Sequence, residues 1–214
     1  MTVSNNKKNR TEPPERRKEQ LVDAAVASIS KYGISGTTMA SVTKIAGLSP
    51  GLVNFHFKSK AGLLEATLRH LAEEHRGHWA TRINDPGLTA AQKVQKIVGA
   101  QFDPKICSRK KLRVWFAFCG EASHRKSYRA VTTGIDSERL RVLTGLFRQM
   151  QDGASQSGLG AEGVARTLES LFDGFWSNML MYPAAFSRED SLAQVEAYLA
   201  AAYPNHFGAE ARQR

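Results

Sequence analysis

Two cysteines, Cys107 and Cys119, are all that the 214 residues contain. That is too few for a disulfide-held scaffold and suits a reducing compartment, so both are expected to be buried thiols. No apolar run reaches the roughly 18 residues that a membrane-crossing helix needs. The polar start MTVSNNKKNR also lacks the apolar stretch of a signal peptide. A soluble, cytoplasmic product without membrane attachment is expected. Catalytic motifs are missing too: there is no glycine-rich phosphate loop, no G-x-S-x-G turn and no pair of spaced catalytic carboxylates. An enzyme is therefore not expected, and no cofactor is implied.

What the chain does hold is positive charge and helical pattern. Its formal net charge is +10, and residues 1–60 alone carry ten Lys/Arg against four acids. A basic N-terminal quarter is the footprint of a polyanion partner, double-stranded DNA above all. A hydrophobic content of 42% supports a real core, and the length allows one large or two modest domains.

Apolar residues recur at helical spacing along nearly the whole chain. Leu21, Ala24, Ala25, Ser28, Ile29 and Tyr32 mark one amphipathic helix, stopped at Gly33. Val42, Ile45 and Ala46 mark a second, short one. Ser49 is placed to cap a third, with Pro50 at its first position, where no amide hydrogen is required. Ser59 is placed to cap a fourth that runs to the breaker NDPG. Thr89 and Gln92 form a capping-box pattern opening a fifth. Asp103-Pro104 interrupts, a helix resumes after Ser108, and further helices are expected at about 126–151, 161–181 and 188–203, with the loop DGASQSGLG between the first two. No strand alternation or repeat stands out, so the fold class is all-α.

The segment TTMASVTKIAGLSPGLVNFHFKSK has the requirements of a helix-turn-helix. Thr43 takes the small-residue position, Gly47 the turn, and Val42, Ala46, Leu48, Leu52 and Val53 the docking face. Ser49, Gly51, Asn54 and Phe55 then face outward toward a major groove, and Asn54 has the paired donor and acceptor that read adenine. Thr38, His56, Lys58 and Lys60 are placed for phosphates. The tail of residues 1–15 reads as flexible and basic, and residues 16–60 as the DNA-binding head.

This same segment, with Gly47, the ending NFHF and the helix begun by Lys60, resembles the DNA-binding region of TetR-type bacterial repressors. Further stretches, GLLEATLRHL, IVGAQFD, VWFAF, SERLRVL and LFDGFW, resemble the BetI branch, choline-responsive repressors of glycine betaine synthesis genes. The resemblance implies a homodimer on a palindromic operator, acting on the nucleoid, with residues 61–210 binding the effector and dimerising. In the helix at 161–181, Val164, Leu168, Leu171, Phe175 and Met179 form a stripe widened by Phe172 and Trp176, which needs more than one neighbour; a second copy is the expected one, and burial within the chain the competing account. A quaternary ammonium has no N–H and is held by aromatic faces and nearby carboxylates. Phe102, Trp115, Phe116 and Trp176 are the candidate faces, and Asp103, Glu121 and Asp173 the candidate charges. Leu112, Trp115, Phe116 and Cys119 are expected to share one helix face, with Phe118 off it. His70, Glu74 and His78 share a face near His75; a solvated surface explains them as well as a metal does, and no metal site is expected. The alternative is a TetR-type regulator answering a different small molecule or a metal.

Overall fold

The computed structural model describes residues 13–122, 125–150 and 158–208. Most of the basic tail and most of the DGASQSGLG loop lie outside them. Every regular element among the described residues is helical: α1 (Pro14–Gly36), α2 (Met39–Ala46), α3 (Pro50–Phe57), α4 (Lys60–Ala80), a 3-10 turn (Thr81–Ile83), α5 (Ala90–Gln101), α6 (Arg109–Ala122), α7 (Lys126–Gln149), α8 (Ala161–Met181), α9 (Arg188–Ala202) and α10 (Pro204–Phe207). Among the described residues no helix is long and apolar enough to cross a membrane.

Local chemistry explains most boundaries. Gly33 breaks the helical path of α1 with φ 71, in the left-handed region that glycine enters without a Cβ penalty. Thr89 and Gln92 form the expected capping box at α5. A second capping box, Thr38 with Ser41, opens α2. Ser49 occupies the N-cap position of α3, but its hydroxyl makes no capping bond. The Asp103-Pro104 break is held by the Asp103 carboxylate, which accepts from the Lys105 amide at 2.9 Å.

The chain divides into two compact units: residues up to Leu71 with Arg113–Tyr128, and Ala72–Leu112 with Arg129 onward. The first thus extends beyond a head ending at residue 60. Its core packs Leu21, Val22, Ala24 and Ala25 of α1 against Val42 and Ala46 of α2, Val53 and Phe57 of α3, and Leu63 of α4. Full burial of one such side chain is worth about 1.5–3 kcal/mol. The second unit buries Trp79, Val94, Ile97, Phe102, Leu143, Phe147, Leu168 and Phe172.

Three expectations change here. On α6, Phe118 is fully buried and meets Tyr128 edge-on at 5.3 Å, whereas Trp115 and Phe116 are half-buried and Cys119 is exposed. The helix is rotated relative to the expected face because the Val114–Phe118 ridge takes the interior. Only Cys107 is a buried thiol. The α8 stripe is also satisfied within one chain: Val164, Leu168, Phe172, Phe175, Trp176 and Met179 are all buried there, so the stripe by itself does not call for a second copy.

Candidate nucleic-acid interface and effector site

Three short helices build the first candidate site. α2 ends at Gly47, whose φ of 65 turns the chain left-handedly, and the Leu48 amide closes the turn on the Thr43 carbonyl at 3.1 Å. Thr43 fits because it is buried with its hydroxyl donating to the Ala40 carbonyl at 3.0 Å. Gln20 of α1 donates to the last carbonyl of α2, Ala46, at 2.8 Å, fixing the pair on α1. Beneath them Ser28 bonds both Thr37 and Ser41 at 3.1 and 2.9 Å, so a buried hydroxyl is satisfied as it must be. α3 approaches α4 closely: a Cβ on Gly62 would stand 2.4 Å from the Phe57 carbonyl oxygen.

With Val53 and Phe57 pinned inward, the other side of α3 faces solvent. Ser49, Gly51, Asn54 and Phe55 are exposed, Phe55 at 76%, while His56 is half-buried and edge-on to Phe55 at 5.2 Å. Thr38 and Lys58 are exposed as well. Lys60 is half-buried, and its ammonium donates to the Ser35 carbonyl at 3.1 Å, tying the start of α4 to the end of α1. The eight residues singled out for DNA therefore share one small unit, six of them exposed, His56 half-buried and Lys60 partly engaged within the fold.

The second candidate site lies in the other unit. Phe102 meets Phe172 at 6.1 Å and Phe175 at 6.4 Å, both edge-on. Trp176 donates its indole N–H to the Gln101 carbonyl at 2.9 Å and tilts against His75 at 5.3 Å. His75 Nε2 lies 2.8 Å from Gln101 Oε1, and because that oxygen only accepts, Nε2 carries the proton. Burial, followed by the charge of Arg139, pushes this imidazole down to about 3, so it is neutral at physiological pH.

The candidate carboxylates are placed differently from the aromatics. Asp103 is consumed by its surroundings: besides the Lys105 amide, Arg82 donates to it at 2.7 Å and His78 stands 3.1 Å away. Those contacts push its carboxyl down to about 2. Glu121 pairs with Arg125 one turn along α6, and Asp173 is exposed on α8. Trp115, Phe116 and Glu121 belong to the first unit, Phe102, Asp103, Asp173 and Trp176 to the second. On α4 the histidines part company, with His70 exposed, His75 inward, His78 on Asp103 and Glu74 paired with Lys111.

Residues 21–67 match the family described as bacterial regulatory proteins, tetR family, and residues 90–204 match BetI-type transcriptional repressor, C-terminal. The chain is a TetR-family repressor with a BetI-type C-terminal domain.

Known regulators agree with that placement. The chain is 31% identical over 163 residues to the HTH-type transcriptional regulator BetI of Klebsiella pneumoniae strain 342, covering 75% of this chain and 80% of that one. It is 30% identical over 187 residues to its namesake from Serratia proteamaculans strain 568, covering 86% and 90%. A putative transcriptional regulator from Pseudomonas aeruginosa PAO1 has the same fold, with a TM-score of 0.78 at 23% identity over 92% of this chain and 95% of that one. So has a putative transcriptional regulator from Saccharomonospora viridis solved in complex with choline, at 0.76 and 16% identity over 86% and 96%. TetR-family repressors bind DNA as dimers and take small-molecule effectors. Sequence reasoning missed His75, Gln101, Phe172 and Phe175 as parts of the aromatic centre. Spacing held a signal for one of them, since Phe172 lies one turn before Trp176 on α8.

Proposed function

We propose that this repressor works as a homodimer in the cytoplasm, on the nucleoid, seating α3 of each copy in consecutive major grooves of a palindromic operator. A choline-like quaternary amine releases it, and the genes it controls are those of glycine betaine synthesis. In this reading Asn54 reads a base edge, Ser49, Gly51 and Phe55 contact the groove, and Thr38, His56, Lys58 and Lys60 hold phosphates. Half-sites one helical turn apart are spaced by roughly 34–36 Å. The observation that carries the DNA half is the solvent-facing side of α3 on a rigidly packed three-helix base.

For the effector half, support comes from the aromatic centre around Phe102, Phe172, Phe175 and Trp176, together with the choline held by a regulator of the same fold. Each aromatic face contributes about 0.5–2 kcal/mol toward a quaternary ammonium. Trp115, Phe116, Glu121, Asp103 and Asp173 are weaker candidates than the sequence suggested, for the reasons of placement given above. Dimerisation is assigned to the small exposed residues of the last two long helices, Ser170 and Gly174 on α8 and Ala193, Ala197 and Ala201 on α9, which allow close helix approach. To move operator occupancy from 99:1 to 1:99, the effector must prefer the released state by about 5.5 kcal/mol.

Calorimetric titration of the purified protein with choline, paired with a mobility shift on DNA upstream of its own gene, tests the reading. Heat of binding and loss of the shifted band on adding choline are expected. A band unaffected by saturating choline overturns the choline assignment and leaves the DNA assignment standing.

A further inference from the structure

Four hydroxyl groups, those of Ser28, Thr37, Thr38 and Ser41, meet where α1 packs against the start of α2. Ser28 and Thr37 are fully buried, Ser41 is half-buried and Thr38 is exposed. Their protons can be placed by counting, because each hydroxyl has only one to give. Thr37 donates to the Gly33 carbonyl at 2.8 Å, and Ser28 donates to Thr37 at 3.1 Å. The 2.9 Å contact between Ser28 and Ser41 is then a hydrogen bond only with Ser41 as donor. Ser41 also lies 2.9 Å from the Thr38 carbonyl, but that oxygen already accepts from the Val42 amide at 3.1 Å. Ser41 itself accepts from the Thr38 amide at 3.0 Å.

The bonds form a one-way chain. Thr38 N–H gives to Ser41, Ser41 to Ser28, Ser28 to Thr37, and Thr37 to the carbonyl of Gly33, the residue at which α1 breaks. Hydrogen bonds linked head to tail polarise and strengthen one another, most of all away from water. The outer end of the chain fixes Thr38. As the N-cap of α2, the Thr38 hydroxyl oxygen accepts from the Ser41 amide at 3.0 Å, so its amide and its side-chain oxygen are both tied to Ser41. Its hydroxyl proton is left over, with no acceptor among the described residues.

We infer that Ser28, wholly buried on α1 and out of reach of DNA, is a positioning residue for DNA binding: acting through Ser41, it holds the Thr38 hydroxyl so that its proton is offered to a backbone phosphate. The inference rests on the reading of Thr38 as a phosphate contact given above. Phosphates carry no sequence information, so the chain serves affinity and not base preference, which belongs to the outward side of α3.

The test uses the full-length protein and a duplex that it recovers from a random-sequence pool. Ser28→Ala, Thr38→Ala and the double variant are titrated with that duplex under conditions where circular dichroism shows each to be folded. Either single change should weaken binding about threefold to tenfold, the usual net worth of one hydrogen bond. In the Thr38→Ala background, Ser28→Ala should cost less than about twofold more, because the contact it serves is already gone. Selection repeated with Ser28→Ala should return the same sequences. A serine that only stabilised the fold would lower the unfolding free energy and leave the affinity of the folded protein unchanged, or add its loss in full to that of Thr38→Ala. Where Ser28→Ala prevents folding, Ser41→Ala, at the half-buried middle of the chain, replaces it in the cycle. If Thr38→Ala weakens binding, then unchanged affinity in Ser28→Ala, additive losses or altered selected sequences overturn the inference and leave Thr38 on its phosphate. Unchanged affinity in Thr38→Ala removes the phosphate reading of Thr38 and the inference with it.

Discussion

Replacing His75 by glutamine should flatten the acid limb of the stability profile. His75 is 5% exposed, and burial pushes its imidazole from 6.5 down to about 3, with repulsion from Arg139, His78 and Lys111 in the same direction and the Gln101 contact opposing. The folded chain therefore keeps the ring neutral while the unfolded chain protonates it as pH falls through 6.5. In that window the unfolded state binds one more proton, so the stability tied to the neutral ring is whole above pH 6.5 and declines below it until the folded ring titrates near pH 3. The slope is about 1.4 kcal/mol per pH unit, which gives about 2 kcal/mol at pH 5. Against a usual margin of about 5–15 kcal/mol, that is a large loss. Glutamine still offers a partner to Gln101 but does not titrate. Urea unfolding at fixed protomer concentration, from pH 7.5 to pH 5, measures both proteins, and carboxylates common to the two drop out of the difference. The unaltered protein should lose about 2 kcal/mol more than the variant over that range. Parallel profiles would mean that the ring is not held neutral inside, and the reasoning would fail.

Gly62→Ala places a methyl where the Phe57 carbonyl stands 2.4 Å away, and backbone there has little room to yield. A loss of about 1–3 kcal/mol in unfolding free energy is expected, with weaker operator binding; an unchanged melting curve would contradict the packing of α3 on α4. Lys58→Ala should lower the slope of log affinity against log salt by about one without altering sequence preference, whereas Asn54→Ala should blur preference in a binding-site selection. An unchanged slope in the first, or unchanged preference in the second, removes that residue from its assigned role. Of the two thiols, exposed Cys119 should react with a disulfide reagent in the native state, while Cys107, pushed up to about 12 by burial, should react only on unfolding. Two fast thiols in the folded protein would contradict the placement of Cys107.

Local rules carried far along this chain. Gly33, Gly47, Pro50 and the Thr89–Gln92 box mark boundaries because each is decided by backbone chemistry within a few residues. The Thr38–Ser41 box escaped notice because serine at its third position serves as well as glutamate or glutamine without resembling them. Rotation of a helix about its axis is another matter, since it is chosen by distant partners. On α6 the Val114–Phe118 ridge and the face through Trp115 and Phe116 are both apolar, and only packing decides that Phe118 goes in. His75 is the same lesson on α4: among polar neighbours it reads as solvated, yet Gln101 and Trp176, respectively 26 and 101 positions away, draw it inside. Nor does sequence show that the Asp103 carboxylate, a candidate charge for the effector, is engaged, because Arg82, His78 and the Lys105 amide converge on it only after the chain turns at Pro104.

Hydroxyl-radical footprinting of the purified protein on DNA upstream of its own gene tests the central claim most directly. Two symmetric protected patches on one face of the duplex, about one helical turn apart and lost together in Asn54→Ala, are what α3 in consecutive major grooves predicts. A single unsymmetrical patch, or full protection retained without Asn54, would contradict it.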